Sequence, residues 1–274
     1  MPKNDCKRYL HLLIVLSILL IVGSGFSQSH QSDNQILKQT SKDWGRIDLG
    51  NGYVLVNNVW NKKIVSEPYK QSIFNKIAKG KQVFGWEWSW PFCSDYVAYP
   101  EVIYGYKPWE EPKYPADLPV RVGSKNIIAD FDIQVQADGI YNMNFDLWIT
   151  SAFPGNSENI THEIIVQIDP FDAMPGRKED IVTVNGVPFK IFQMFTSKQQ
   201  GEYPGEASSG WNTIIFVAQK SMLKGPLQLS AFTDFLSDKG VLNKNLYITS
   251  VELGTSILKG TGMAEISDYK IRVE

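Results

Sequence analysis

The stretch best equipped for chemistry is Thr161 to Asp169, THEIIVQID, which alternates apolar and polar side chains at a period of two. As a strand it points His162, Ile164, Val166 and Ile168 to one side and Glu163, Ile165, Gln167 and Asp169 to the other. The first side is a core face. The second carries two carboxylates and an amide, and a sheet that packs on only one face leaves the other free to hold a ligand. Two further stretches repeat the pattern. In one, Tyr141, Met143, Phe145, Leu147 and Ile149 alternate with Asn142, Asn144, Asp146 and Trp148. In the other, Tyr247, Thr249, Val251 and Leu253 stand against Ile248, Ser250, Glu252 and Ser256. Such strands side by side make a floor of acids, amides and rings, the chemistry of a sugar-binding cleft.

Other chemistries lack their parts. Of the histidines, His11 and His30 lie near the N-terminus and His162 points to the apolar side of its strand, so a Ser/His/Asp or Cys/His device has no base. There is no HExxH, no paired CxxC and no glycine loop to cradle phosphate. Cys93 reads as a small buried side chain rather than a nucleophile. Carboxylate chemistry remains, and glycosidic hydrolysis needs two carboxyl groups, no cofactor and no metal. Periodicity alone pairs Glu163 with Glu252.

Aromatic residues supply a rim. Trp86, Trp88 and Trp90 alternate with Glu87 and Ser89, so three indoles share one face of a strand, with Trp60 and Trp109 in flanking segments. Sugar rings stack on such platforms while amides and acids bind the hydroxyls. The competing reading is ordinary core. Trp148, on the polar side of its strand, favours the ligand role.

The elements that must position these groups are short alternating segments punctuated by Gly, Pro and Asn from Trp44 onward, which predict an all-β fold, an antiparallel β-sandwich. Ile133 to Ala137 is one strand, turned at Asp138-Gly139. One short helix is expected over Pro226 to Asp238, with Leu229, Phe232 and Leu236 on one face and Gly240 as its stop.

The chain has 274 residues and a mass of 31.0 kDa, enough for one large domain, and no composition shift marks a boundary inside it. Lys7 and Arg8 precede an apolar run from Leu10 to Val22, followed by small residues, which reads as a secretory signal peptide over 1–27 with cleavage near Ser27-Gln28. The run is too short for a spanning helix, so a secreted or periplasmic protein with no membrane attachment after cleavage is expected. Residues 28–43 are polar and aperiodic and predict a disordered leader; the domain covers 44–274. The formal net charge is −2, and cleavage removes Lys3, Lys7, Arg8 and Asp5, leaving a more acidic chain that offers nucleic acid nothing. Cys6 leaves with the signal, Cys93 has no partner for a disulfide, and a monomer is expected.

Several separated motifs carry a resemblance. Gly52-Tyr53 and Asn57-Asn58-Val59-Trp60, then Trp86-Glu87-Trp88-Ser89, then Tyr99 to Trp109 (YPEVIYGYKPW) and Leu118-Pro119-Val120 are followed by Phe145-Asp146-Leu147-Trp148 and His162 to Val166. Met174-Pro175-Gly176, Leu253-Gly254-Thr255 and Lys259-Gly260-Thr261-Gly262 complete the set. In this order they are similar to glycoside hydrolase family 12, the single-domain jelly-roll (concanavalin-like) endoglucanases and xyloglucanases, from Trp44 to the C-terminus. The resemblance implies that Glu163 is the nucleophile of a retaining double displacement and that Asp146 hydrogen-bonds it. It places Asn58 and Trp60 at glycone-side subsites and Pro175 in a loop bordering the cleft. Two positions depart from the family pattern. Gln167 stands where the family has Trp, and Ser256 stands where the family has the acid/base glutamate.

A serine hydroxyl has no proton chemistry near neutral pH that replaces a carboxylic acid. Glu252 shares the strand face of Ser256 but lies about 13 Å along it, whereas a retaining pair needs carboxyl groups about 5 to 5.5 Å apart. Two functions follow. One is a secreted endo-acting hydrolase of β-1,4-glucans such as cellulose derivatives, xyloglucan or mixed-linkage glucan, with the acid supplied by Glu252 or another carboxylate. The other is a β-glucan-binding protein that has lost turnover.

Overall fold

A computed structural model describes residues 34–111, 116–170, 180–196 and 210–274. In chain order its strands are β1 (Asn34–Thr40), β2 (Arg46–Gly50), β3 (Tyr53–Val56), β4 (Lys70–Ala78), β5 (Lys81–Trp90), β6 (Glu101–Gly105), β7 (Val120–Arg121) and β8 (Ile127–Thr150). They continue with β9 (Ile160–Pro170), β10 (Asp180–Val184), β11 (Val187–Thr196), β12 (Trp211–Ala218) and β13 (Leu227–Gln228), then helix α1 (Ser230–Asp238) and β14 (Tyr247–Val273). The expected signal peptide lies outside the described residues. Among the described residues, no helix is long and apolar enough to cross a membrane.

Two long strands organise the molecule. β8 and β14 pair antiparallel from Tyr247↔Thr150 to Val273↔Ile127, and both pass through two layers. The rings of Phe131 and Phe145, on the same strand, are 5.3 Å apart. A straight strand would separate them by about 46 Å, so β8 folds over and its two halves face each other. The corner lies where Gly139 (φ 143°) meets Gly260 (φ 101°). A Cβ on Gly139 would stand 2.2 Å from the Lys259 carbonyl oxygen, and one on Gly260 2.1 Å from that of Asp138, so only glycine admits this approach. The expected turn at Asp138-Gly139 is therefore a bend within one continuous strand. The partner strand carries its own glycine opposite, so both strands kink without breaking the ladder.

The back layer contains β1, β4, β5, residues 259–273 of β14 and 127–140 of β8. The front layer contains β3, β6, residues 247–257 of β14, 141–150 of β8, β9, β12, β11 and β10. The sandwich is antiparallel except at β9 and β12, which pair in parallel. Between the layers lie Phe145, Leu147, Ile164, Val166, Phe216, Val251 and Leu253, with Trp86, Trp88 and Trp90 from β5.

That placement corrects the reading of the β5 tryptophans as a ligand platform. Trp86 is 0% exposed and its Nε1 donates to Thr255 Oγ1 of the opposite layer at 2.8 Å; Trp88 is buried beside it. Alternation separated the two faces of β5, but Glu87 and Ser89 took the solvent side. Of the disordered leader expected over 28–43, the described part is corrected too, because Asn34–Thr40 forms edge strand β1 on β4. Its side chains are almost all exposed, so backbone pairing holds it and no hydrophobic period announces it.

The helix starts later than expected because Leu227 and Gln228 pair with Ala129 and Ile128 as β13. Phe232 of α1 packs edge-on against Phe189 at 5.0 Å and Phe216 at 4.9 Å, clamping β11 and β12 from the core side. Phe232→Ala is expected to cost about 3 to 5 kcal/mol of stability, measurable as a lowered urea midpoint with an unchanged slope.

Candidate active site

The outer face of the front layer gathers most of the polar residues singled out from the sequence. On β9, Ile164, Val166 and Ile168 enter the core, and Glu163, Ile165 and Gln167 face outward. Register sets Trp148 of β8 beside Glu163 and Asn144 beside Gln167. On its other edge β8 meets β14, where Glu252 lies opposite Asp146 and Ser256 opposite Asn142. Asp146 thus sits between the strands of Glu163 and Glu252.

Glu163 is held from the far side by two residues that periodicity did not single out. Its Oε2 accepts from Trp211 Nε1 and Thr213 Oγ1, each at 3.0 Å. Both come from β12, whose parallel register places Thr213 directly beside Glu163. The segment WNTIIFVA ends in an unbroken apolar run and could be read as a buried strand, but only the crossover into parallel pairing shows that it flanks β9.

Asp146 Oδ1 accepts from Asn144 Nδ2 at 2.6 Å, and Asn144 Oδ1 accepts from Ser256 Oγ at 3.2 Å. The Tyr99 ring lies over Gly254, where a Cβ would meet it at 2.6 Å, and the Tyr99 hydroxyl reaches the Asn144 side chain at 3.2 Å. Ser256 therefore belongs to a hydrogen-bonded chain that ends on Asp146.

Burial pushes the Asp146 carboxyl well above the usual carboxylate range, and the nearby Glu163 and Glu252 raise it further against the opposing effects of Asn144 and Lys107. Glu163 is also raised, first by burial, but its bonds from Trp211 and Thr213 favour the charged form. Two carboxyls in one dry site do not both ionise readily. Burial raises both groups, and the two donors that meet Glu163 Oε2 favour the charged form of that side chain. Trp211→Phe removes a bond to the charged form, raising Glu163 further. The acidic limb of the activity profile is expected to move to higher pH, read as kcat/KM against pH.

Glu252 is not open to a substrate. It is 1% exposed, with Oε2 bound to Lys107 Nζ at 2.6 Å and Oε1 accepting from Ser250 Oγ at 3.1 Å. Its assignment as a recruited acid is corrected on that ground: the side chain shares the outer face with Asp146, but both carboxyl oxygens are engaged and covered there. Trp148 is 5% exposed and wedged edge-on between Trp109 and Trp211, at 5.0 and 5.3 Å, so it forms part of a wall rather than an open platform. Asn58 turns inward, donating to Glu101 Oε1 and accepting from the Trp60 backbone N–H, whereas the Trp60 indole is 38% exposed. Gln167 is buried, and its Oε1 has no hydrogen-bond partner among the described residues. Pro175 lies outside the described residues. A cavity of about 730 Å³ on the back layer, lined by Gln39, Ser72, Glu87 and Trp88 among others, contains none of the outer-face groups.

A sandwich that presents two carboxyl groups on neighbouring strands of its open sheet has the layout of a carboxylate-based glycosidase. Residues 51–274 match Glycosyl hydrolase family 12, and the chain belongs to that family. It is similar to Endoglucanase S of Pectobacterium parmentieri, 28% identical over 241 residues that cover 86% of this chain and 87% of that protein. It is also similar to the probable xyloglucan-specific endo-beta-1,4-glucanase A of Aspergillus fumigatus, 21% identical over 88% of this chain and 94% of that protein. Among solved structures, the native family 12 xyloglucanase from Bacillus licheniformis superposes with a TM-score of 0.76 at 26% identity, covering 86% of this chain and 100% of that one.

Proposed function

We propose that the chain is a secreted, endo-acting hydrolase of β-1,4-glucans that works by double displacement with Glu163 as nucleophile. The observation that carries the reading is the Glu163 carboxylate on the open face of β9, aimed by Trp211 and Thr213 and flanked by Asp146. Glu163 attacks the anomeric carbon, the glycosidic C–O bond breaks, and the departing oxygen takes a proton from a cleft water, leaving a hydroxide that later accepts the proton of the hydrolysing water. Water then attacks the glycosyl-enzyme ester and releases Glu163. Asp146, on the neighbouring strand, steadies the carboxylate. Trp60, the exposed indole at the edge of the face, stacks on a glucosyl ring. The endoglucanase and xyloglucanase names of the relatives support an unbranched or xylosyl-substituted β-1,4-glucan as substrate. The apolar run after Arg8 supports export, and recovery from the culture medium of a chain beginning near Gln28 tests it.

Ser256 supports a second reading, a glucan-binding protein with impaired turnover, because its hydroxyl is committed to Asn144 and brings no acid to the leaving oxygen. Release of reducing ends from xyloglucan and carboxymethylcellulose, measured beside hydrolysis of an aryl cello-oligoside, separates the two. Cleavage of polysaccharide establishes the hydrolase. Binding of polysaccharide with turnover of the aryl substrate alone selects the second reading, and no turnover of either removes Glu163 as a working nucleophile.

A further inference from the structure

On the same outer face as Asp146, and buried there, lies a set of charges that the proposed chemistry does not use. Lys107 follows β6 and is buried, and its Nζ bridges Glu101 Oε2 at 3.1 Å and Glu252 Oε2 at 2.6 Å. Both carboxylates are fully buried as well. An ion pair of this kind is weak evidence for stability, since well-packed apolar residues often serve as well. Its placement suggests another use.

Two routes run from Lys107 to groups that face the glucan. Through Glu101 Oε1, which accepts from Asn58 Nδ2 at 2.9 Å, and Asn58 Oδ1, which accepts from the Trp60 N–H at 3.0 Å, it reaches the exposed indole. Through the Trp109 ring, 5.3 Å from Nζ, and the edge contacts of Trp109, Trp148 and Trp211, it reaches the N–H that holds Glu163. On the reading of Glu163 as nucleophile, we infer that Lys107 is a positioning residue for the hydrolysis. It locks Glu101 and Glu252 in place on the outer face, ties the loop of Trp60 to the strand of Glu163, and supplies positive charge to a site that carries four carboxyl groups.

The titratable groups arrayed around Glu163 are Asp146 from β8, Glu252 from β14, Glu101 from β6 and Lys107. Asp169 lies further along β9, and Lys190 of β11 sits at the register of Gln167 through Val217. β12 contributes the neutral donors Trp211 and Thr213, and Tyr99 covers the neighbouring Gly254. The two halves of the buried ion pair act on Glu163 in opposite senses: Lys107 favours its charged form and Glu252 disfavours it.

The test is a ¹³C-carboxyl NMR titration of Glu163, assigned by loss of its signal in Glu163→Gln, in the wild type, Lys107→Met, Glu252→Gln and the double variant, with melting temperatures and kcat and KM on xyloglucan alongside. Lys107→Met is expected to move the Glu163 midpoint to higher pH and to lower kcat rather than raise KM. Glu252→Gln is expected to move the midpoint to lower pH, and the double variant to fall between them. Lys107→Arg is expected to restore the wild-type midpoint. If Lys107→Met is too unstable to study, the double variant and Glu252→Gln still report the sign of each half. Shifts of the same sign, or none, in folded variants overturn the inference. Because the titration reads Glu163 without turnover, activity persisting in Glu163→Gln overturns the nucleophile reading separately.

Discussion

Glu163→Gln is expected to reduce hydrolysis of xyloglucan and of an aryl cello-oligoside alike, by on the order of 10⁴- to 10⁶-fold, the range for loss of an attacking group. The amide keeps the shape and hydrogen-bonding reach of the side chain but cannot attack the anomeric carbon. Trp211 and Thr213 both donate to Oε2, and the amide oxygen can accept both bonds, so the fold should tolerate the change. Glucan binding, measured by isothermal titration, should persist. The equal loss on both substrates is the discriminating feature. A good leaving group relieves the need for an acid, never the need for a nucleophile. An aryl substrate still cleaved at the wild-type rate would remove Glu163 from the mechanism.

The second large effect runs in the opposite direction. Ser256→Glu is expected to raise polysaccharide cleavage by on the order of 10²- to 10⁴-fold, the usual contribution of general acid-base help, while changing aryl-glycoside hydrolysis little. Ser256 faces the same side of β14 as Glu252, opposite Asn142, but unlike Glu252 it is partly open to solvent. A glutamate there extends over Asn144 towards Asp146, where burial and neighbouring carboxyls favour a protonated acid. The gain is read as reducing ends released per unit time from xyloglucan. No gain in a folded Ser256→Glu protein would mean that the wild type already has an acid placed elsewhere.

Much of the site could be read from the chain because side-chain alternation is a local property. A strand turns successive residues to opposite faces whatever its neighbours do, so THEIIVQID placed Glu163 opposite Ile164 and Val166, and the stretch around Phe145 placed Asp146 with Asn144. Alternation does not say which face the other layer covers. Trp86 and Trp88 belong to the core for that reason, whereas Trp148 stands on the outer face that alternation gives it. Apolar packing drew Trp86 and Trp88 between the sheets, and two neighbouring indoles closed over Trp148.

By itself the sequence determined an all-β domain of alternating strands, its resemblance to the family, and an outward carboxylate on each of three strands. The tertiary structure decided how those strands are joined. β8 and β14 run through both layers because Gly139 and Gly260 meet at one corner. Trp211 flanks Glu163 because β12 returns in parallel, and Glu252 is withdrawn from the surface by a lysine far away in the chain. Each of these is a contact between residues distant in sequence, set by packing and pairing across the sandwich, and no local period encodes such a contact.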